Sequence, residues 1–498
     1  MRVSLAPLLV VAGLSQPVAA QPAPADPAAT IAEMQRQIAE LKAMVAELRA
    51  AIQGNAAQPA ANPPPAVAAA APAAPTVAPT PAAPTPAIMA AASPTTASPA
   101  ATAQPGTILL KAPARRGKPW YEKLTLRGYA QMRINEIVSG AASAPAGVSR
   151  LRSIGDNGIS NANNFSFRRV RLILQGDLSD HVSLYLQPDF ASAVSNQSVG
   201  ERREGFGQLR DAYVDIFPTE DHSLRLRLGQ SKVPFGWENL QSSSARLALD
   251  RTDGINTAVP TERDLGAVLF YTPPQVQQIW NRLASDGQKL FGNYGAFGLA
   301  LYNGQGTNRA ETNNSLMAVA MATWPFALDG LGLDGQVLEV GGAIMRNKVQ
   351  PELRSGGVNP TAITDNRVGV HAMLYPQPIG FQAEWNWGTG PEFDPATQSI
   401  KAKPLTGGYV QAMGRVRQSP VGPFMPFARW QYYRGGFKAG LNAPRLETDE
   451  LELGIEFQPA VPLEFTLSYG WARRREADER RAGQAEGQVL RAQVQWNY

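Results

Sequence analysis

The sequence predicts an all-β fold, a sixteen-stranded antiparallel transmembrane β-barrel, and three observations lead to it. Many segments alternate apolar and polar residues with the two-residue period of a strand. These segments number sixteen, and the connections between them alternate between short and long, as in outer-membrane barrels. No segment after the N-terminus reaches the roughly 18 consecutive apolar residues of a membrane-spanning helix, so we expect strands to make the crossing.

The last eleven residues show the alternation most clearly. Leu490, Ala492, Val494, Trp496 and Tyr498 lie on one face of the predicted strand, and polar residues occupy the positions between them. The apolar face ends in two aromatic residues. This is typical of a strand that closes an outer-membrane barrel, where aromatic side chains lie at the lipid–water boundary.

We place the sixteen strands at about 124–134, 166–178, 182–189, 209–217, 223–230, 264–272, 294–302, 316–324, 337–346, 367–375, 380–388, 408–417, 425–434, 450–457, 463–471 and 488–498. The short connections that we identify are 178–181, 217–222, 375–379, 418–423 and 458–462, and the long ones include 135–164, 230–263 and 471–487. Short turns at one end and long loops at the other are the barrel pattern.

Inward-facing carboxylates are predicted on several strands of the second half of the chain. Glu384, Glu452, Glu456 and Glu464 alternate with apolar residues that would face lipid. Carboxylates are costly in a packed apolar core but not in water. We therefore expect a water-filled lumen, and hence a channel.

Three segments precede the barrel, which we assign to residues 120–498. Residues 1–20 predict a signal peptide, because Arg2 is followed by a short apolar stretch and by small residues before a cleavage site after Ala20. Residues 54–119 form an Ala/Pro-rich linker that cannot build a core.

Residues 21–53 predict a short coiled-coil helix. Apolar residues recur at spacings of three and four, at Ile31, Met34, Ile38, Leu41, Val45, Leu48 and Ile52. A single amphipathic helix packed on its own protein is the alternative. The pattern is compatible with a coiled coil of two helices or of three, so the oligomer number stays open.

Composition and motifs argue against several functions. The chain has no cysteine, which excludes disulfides and thiolate metal sites. Its net charge of +5 includes no basic run, so no nucleic-acid partner is expected. The three histidines are scattered, and Gly330–Gly335 matches a dinucleotide motif only in spacing, since a strand follows it. We expect no cofactor, no metal and no catalytic residues, and hence no enzyme.

The barrel region resembles the phosphate-selective porin O/P family. The segments that carry the resemblance are Phe167–Leu178, Tyr185–Phe190, Leu209–Asp215, Gly229–Glu238, Ser242–Ser244 and Arg263–Gly266. The resemblance implies a trimeric sixteen-stranded barrel in a Gram-negative outer membrane, with the third long loop folded into the pore. It does not extend to the coiled coil and the linker.

Basic residues at inward positions are the candidate pore-lining and anion-binding residues. On the strands these are Arg127, Arg133, Arg169, Arg171, Arg225 and Arg227, and in the third-loop region they are Lys232 and Arg263. Guanidinium groups match the oxygens of phosphate and carboxylate and stay charged. The alternative is that these arginines only pair with acids of the same wall, among them Asp189, Asp211 and Asp215.

The sequence thus predicts a passive outer-membrane channel for small anions, with phosphate and polyphosphate as candidate solutes. Its predicted partners are these anions, outer-membrane lipid, two further copies in a homotrimer, and peptidoglycan through the periplasmic coiled coil. A general or sugar-type porin without anion selectivity and a structural tether between membrane and cell wall are the alternatives. A barrel enzyme would need a nucleophile and a base at the rim, and the sequence shows no such pair.

Overall fold

The structure is a computed structural model that describes residues 36, 39, 119–140, 151, 156, 159, 165–193, 204–292, 294–420, 422–480 and 483–498. The chain divides into two compact units, Met1–Pro94 and Thr95–Tyr498. In the first unit the described residues are Arg36 and Ala39, which are helical and exposed. The rest of the predicted coiled coil, the signal peptide and the linker up to residue 118 lie outside the described residues.

The described part of the second unit contains the sixteen predicted strands. They are β1 (Leu124–Ser139), β2 (Ser166–Asp177), β3 (Val182–Ala193), β4 (Glu204–Ile216), β5 (Leu224–Lys232), β6 (Arg263–Tyr271), β7 (Phe297–Tyr302), β8 (Met317–Ala327), β9 (Val337–Val349), β10 (Ile363–Leu374), β11 (Ile379–Asp394), β12 (Ser399–Gly414), β13 (Phe424–Gly436), β14 (Arg445–Ala460), β15 (Leu463–Ala477) and β16 (Gln484–Asn497). Three short helices are α1 (Trp237–Leu240), α2 (Asp253–Ala258) and α3 (Pro274–Ser285).

The strands form a closed antiparallel barrel, which confirms the predicted fold class. Each strand pairs with its neighbours in the chain, and β1 pairs with β16. At the seam the Tyr498 N–H donates to the Gly128 carbonyl (3.0 Å), and the Gly128 N–H donates to the Tyr498 carbonyl (2.6 Å). Closure gives each of the sixteen described strands a hydrogen-bonded neighbour on both sides, as a bilayer requires.

The predicted assignment of the two faces is confirmed. On β14 the outward Leu451 and Leu453 are each 43% exposed, whereas the inward Glu452 and Glu456 are 2% and 5% exposed. We call the end of the barrel where β1 begins and β16 ends the lower end. Among the described helices, none combines the length and the hydrophobicity that a membrane-spanning helix needs.

The sequence and the family resemblance predict a water-filled lumen narrowed by the third loop, and the described interior is filled further than that. The third loop (residues 233–262, between β5 and β6) carries α1 and α2, and most of its residues are buried. Inward carboxylates such as Glu384 and Glu464 are also buried, at 3% and 5% exposure. Loop conformation, which strand periodicity does not encode, fills the interior.

One connection departs from the short turns expected at the lower end. The β6–β7 segment (residues 272–296) contains the twelve-residue helix α3, and it runs through buried residues such as Trp280, Leu283 and Phe291. The barrel interior is therefore occupied from two directions, by the third loop and by the β6–β7 segment.

We expect Gly128→Val to impair closure of the barrel. A Cβ atom at Gly128 would lie 2.3 Å from the Arg171 carbonyl oxygen and 2.5 Å from Cε2 of Tyr498, so the β1–β16 seam would have to shift. Overpacking of this kind typically costs about 1–3 kcal/mol. Urea unfolding in detergent micelles measures the loss. Gly330→Val is the matched control, because nothing lies within 4 Å of a Cβ atom there; equal stability of the two variants would contradict the prediction.

Candidate functional site

The third loop begins at a buried lysine. Lys232 ends β5, and its Nζ donates to the carbonyl oxygens of Asn239 (2.9 Å) and Gln241 (2.7 Å). These carbonyls lie at the C-terminal end of α1, where helix carbonyls have no intrahelical partner and favour a cation. Lys232, one of the predicted site residues, thus stabilises the entrance of the loop.

The tip of the third loop is held against β1, β2 and β16 by one carboxylate. Asp250 accepts hydrogen bonds from Arg133 (2.8 Å), Arg168 (3.2 Å) and Arg491. Asp156, from the first loop, accepts from Arg133 and Arg491 at 2.6 Å each. Burial alone would raise the pKa of Asp250, but the three guanidinium groups outweigh it and lower that pKa well below its usual value.

Arg168 is not among the site residues predicted from the sequence. Strict alternation places it on the lipid face, next to the inward Arg169. The register between β1 and β2 shifts at this point, however, because Gln131 pairs with Arg169 and Met132 pairs with Phe167. The β1–β2 register passes over Arg168, whose side chain contacts Asp250, as expected for a β-bulge. Periodicity carries no signal for such a shift.

A second carboxylate, at the end of the third loop, faces four cations. They are Arg263 (2.5 Å), Arg251 (3.6 Å), Arg246 (3.7 Å) and Lys232 (3.9 Å), with distances to the Glu262 carboxylate. Burial opposes ionisation of Glu262, but these cations outweigh it and lower its pKa well below the usual value. Arg263 also pairs with Asp211 of β4 at 2.8 Å. In the described structure, Lys232, Arg246 and Arg251 share the carboxylate of Glu262.

Arg171 lies on β2 beside the third loop. It forms an ion pair with Asp189 of β3 at 2.8 Å. Its Nη1 also donates to the Tyr129 hydroxyl (2.9 Å) and to Oγ of Ser243 in the third loop (3.0 Å). Its Nε pairs with one carboxylate, and its Nη1 donates to neutral oxygens.

Two predicted arginines have no carboxylate partner in the described part of the chain. Arg169 is buried, and its Nη1 donates to the side-chain oxygen of Gln131 at 2.7 Å. Arg127 is half-buried and donates to the side-chain oxygen of Gln175 at 3.0 Å. A guanidinium whose partners are neutral retains an uncompensated positive potential.

Arg225 and Arg227 lie apart from this group, among aromatic rings. Arg227 makes two 2.8 Å hydrogen bonds to Asp215 and lies 3.8 Å above the ring of Tyr213. Arg225 lies 3.7 Å from Asp215 and 4.8 Å from the ring centre of Phe270. Both guanidinium groups are buried, share the carboxylate of Asp215 and lie against aromatic rings, which indicates a structural role.

The third loop also binds the opposite wall. Glu384 of β11 accepts hydrogen bonds from the backbone N–H groups of Trp237 (2.8 Å) and Glu238 (3.0 Å), at the start of α1. Arg429 of β13 contacts Glu238 (3.2 Å) and Glu452 (2.8 Å). The loop is therefore fixed on both sides of the barrel.

Two small cavities lie between the third loop and its surroundings, each with a volume of about 20 Å³. Each has room for about one water molecule. The first is lined by Arg246, Gln241, Lys289 and Gln382, among others, and Nε and Nη2 of Arg246 make no hydrogen bond to the described residues. The second is lined by Arg251, Arg429, Arg474 and Arg491 together with Asp250, Glu450 and Glu452.

In the described structure, the histidine contacts lie away from the third loop and its arginines. His371 contacts Thr323 at 2.9 Å, and His181 contacts the carbonyl of Phe217 at 2.8 Å in a turn. Within the described ranges, no group of three or more His, Asp or Glu side chains is arranged to hold a metal ion.

We expect Asp250→Asn to destabilise the barrel by about 3 kcal/mol, because it removes one carboxylate partner of the buried Arg133 and Arg491 and of the half-buried Arg168, and leaves Asp156 as the second carboxylate for the first two. Asp334→Asn, in an exposed turn, is the matched control. Because the pKa of Asp250 is lowered, the stabilisation is present above about pH 4 and is lost as the pH falls through the lowered pKa. Urea unfolding at pH 7 and pH 5 should therefore show the same large difference between the variants. A difference that vanishes already at pH 5 would contradict this assignment.

Comparisons with solved structures find barrels of similar extent. The outer-membrane channel DcaP of Acinetobacter baumannii is 15% identical, with 75% of this chain and 97% of that chain covered and a TM-score of 0.47. An anion-selective porin from Comamonas acidovorans is 11% identical, with 75% and 99% covered and a TM-score of 0.44. OmpF of Salmonella typhi is 12% identical, with 75% and 97% covered and a TM-score of 0.46.

Comparisons of sequence identify the family. No curated protein sequence matches the chain significantly. The family model described as "Phosphate-selective porin O and P" matches residues 145–498, which is most of the chain and all but the first strand of the barrel. With its closed sixteen-stranded barrel and its apolar outer face, the chain belongs to the phosphate-selective porin O and P family and is an outer-membrane porin.

Proposed function

We propose that this porin is a passive diffusion channel for small anions, with phosphate and polyphosphate as the candidate solutes. The observation that supports this most directly is the excess of cations over carboxylates around the third loop. Four cations surround Glu262, and one of them also pairs with Asp211. Three surround Asp250, and two of them also pair with Asp156. Arg169 has no carboxylate among the described residues. A positive potential at a constriction lowers the barrier for anions and raises it for cations.

The eight predicted residues take different parts in this proposal. Arg127, Arg169 and Arg171 would contact the anion, because they have guanidinium donors bound only to neutral oxygens. Arg133 and Arg263 would hold the third loop in place through their carboxylate partners. Arg225, Arg227 and Lys232 would support the wall and the entrance of the loop. We add Arg246, whose Nε and Nη2 make no hydrogen bond within the described part of the chain and which lines a cavity.

The filled interior supports a selective rather than a wide channel. Cavities of about 20 Å³ hold about one water molecule. An anion of phosphate size can pass only when side chains of the third loop move aside. Guanidinium donors that exchange neutral partners for anion oxygens would offset the loss of the solute's hydration. Several weak sites in series conduct better than one tight site.

The N-terminal region and the assembly are part of the same proposal. The barrel would assemble as a homotrimer in outer-membrane lipid, and the predicted coiled coil of residues 21–53 would clamp it from the periplasm and bind peptidoglycan. Deletion of residues 21–107 should lower the dissociation temperature of the trimer on native gels and release the protein from sedimented cell wall. Unchanged behaviour in both assays would argue against this role.

We expect Arg169→Gln to reduce anion preference. The change removes one unit of charge with little change in length, and it lowers the anion-to-cation permeability ratio by about fivefold to tenfold, equivalent to about 1–1.4 kcal/mol. Reversal potentials in a potassium chloride gradient across a planar bilayer measure this ratio. Arg473→Gln is the matched control, because Arg473 is exposed and its side chain alternates with the inward Arg474.

Three results would count against the anion proposal. They are a wild-type channel that prefers cations or neither ion, an equal effect of the two substitutions, and a current that phosphate and pyrophosphate do not reduce. The first of these would favour a general or sugar-type porin.

A further inference from the structure

The β6–β7 segment is unusual for its position, because connections at the lower end of such barrels are short turns. Its two ends continue the barrel wall: the Thr272 N–H donates to the Ser223 carbonyl (2.8 Å), and the Ala296 N–H donates to the Tyr271 carbonyl (3.1 Å). Between these hydrogen bonds the chain leaves the wall. It forms α3 and then residues 286–292.

The segment reaches the opposite wall of the barrel. Nζ of Lys289 lies 2.8 Å from Glu456 of β14 and 3.7 Å from Glu464 of β15. In the ring of sixteen strands, β14 is eight positions from β6, and β15 is eight positions from β7. Eight positions are half of the circumference. The β6–β7 segment therefore reaches across the full width of the lumen to form these ion pairs.

Further polar contacts fix the segment between these walls. Asp286 pairs with Arg415 (2.9 Å) and Arg417 (2.6 Å), which follow β12. The Gln288 side chain donates to the carbonyl of Pro376, after β10, at 3.0 Å. The segment is therefore attached at several points around the lower opening.

The segment also packs directly on the third loop. Phe291 lies 5.2 Å from Trp280 of the segment and 5.9 Å from Trp237 of the third loop, measured between ring centres. Both indole N–H groups donate to the buried carboxylate of Glu339, at 3.0 Å from Trp280 and 3.1 Å from Trp237. The Gln241 side chain of the loop donates to the Lys289 carbonyl at 3.2 Å. Loop and segment thus close the lumen as one packed unit.

We propose that the β6–β7 segment is a periplasmic plug that forms a second constriction and sets the size limit for solutes leaving the pore. This inference rests on the proposed function as a channel. The outer face of α3 is polar, with exposed Gln275, Gln278, Asn281 and Arg282. This face borders the polar lower opening, whereas Val276, Trp280 and Leu283 of the same helix are buried inside the barrel. Its ion pairs with the far wall exchange for water and for passing ions.

Lys289 is the cation by which the plug contacts the far wall of the barrel. It lines the same cavity as Arg246 of the third loop, so the plug adds a cation beside those of the third loop. Its two carboxylate partners compete with a passing anion. A solute that displaces them would loosen the attachment to the far wall as it leaves.

The test replaces residues 273–295 of the full-length protein with a two-residue Asp-Gly turn. We expect several-fold larger single-channel conductance, and faster swelling of proteoliposomes in sugars that the wild type excludes. The matched control shortens the turn at residues 329–335 of the same end, which is exposed and holds no helix inside the lumen. That control should keep wild-type conductance and solute cut-off.

A second variant covers the case in which the shortened protein does not fold. Lys289→Gln combined with Asp286→Asn breaks the ion pairs to the far wall and keeps the chain length. It should raise conductance or the frequency of large openings several-fold. Heat-modifiable migration on gels identifies the variants that fold. Folded variants with wild-type conductance and wild-type solute cut-off would overturn the plug proposal. A folded, shortened barrel that carries no current would also overturn it. Reversal potentials test anion preference separately: a cation-selective barrel that still gains conductance would retain the plug and refute the anion proposal.

Discussion

The structure depends on the third loop acting as the counter-ion of the inner wall. Arg133, Arg168 and Arg491 converge on one side of the barrel, and Asp250 at the tip of the loop pairs with all three. Buried guanidinium groups are costly unless carboxylates and hydrogen bonds match them. The loop therefore stabilises the wall electrostatically, and the wall in turn fixes the loop inside the barrel. The same contacts therefore stabilise the barrel wall and shape its interior.

Incomplete compensation of these charges connects stability with transport. A wall in which every arginine had its own carboxylate would be stable but electrostatically neutral to a passing ion. Here Glu262 serves several cations, and Arg169 relies on the amide of Gln131. Enough charge is paired to hold the loop, and under the proposed function the remaining charge would favour anions. The shared carboxylate of Glu339 adds a mechanical link, because the tryptophans of the third loop and of the β6–β7 segment both bind it.

Strand positions and face assignments were accessible from sequence because a strand repeats every two residues and a bilayer demands an apolar outer face. Even short segments such as β7 (Phe297–Tyr302) followed this rule. Arg168 was not accessible, since a local register shift turns it inward without changing the pattern of residue types. The partners of Lys289 were not accessible either, because Glu456 and Glu464 lie more than 160 residues away along the chain.

By itself, the sequence determined that this protein is a closed barrel with a polar inside and many inward arginines, because those properties follow from local alternation and composition. Only the tertiary structure decided which of these arginines are neutralised. That outcome depends on where the third loop and the β6–β7 segment place their side chains within the lumen. Such placement results from contacts of the third loop and the β6–β7 segment with strands on opposite sides of the ring, and no local pattern specifies them.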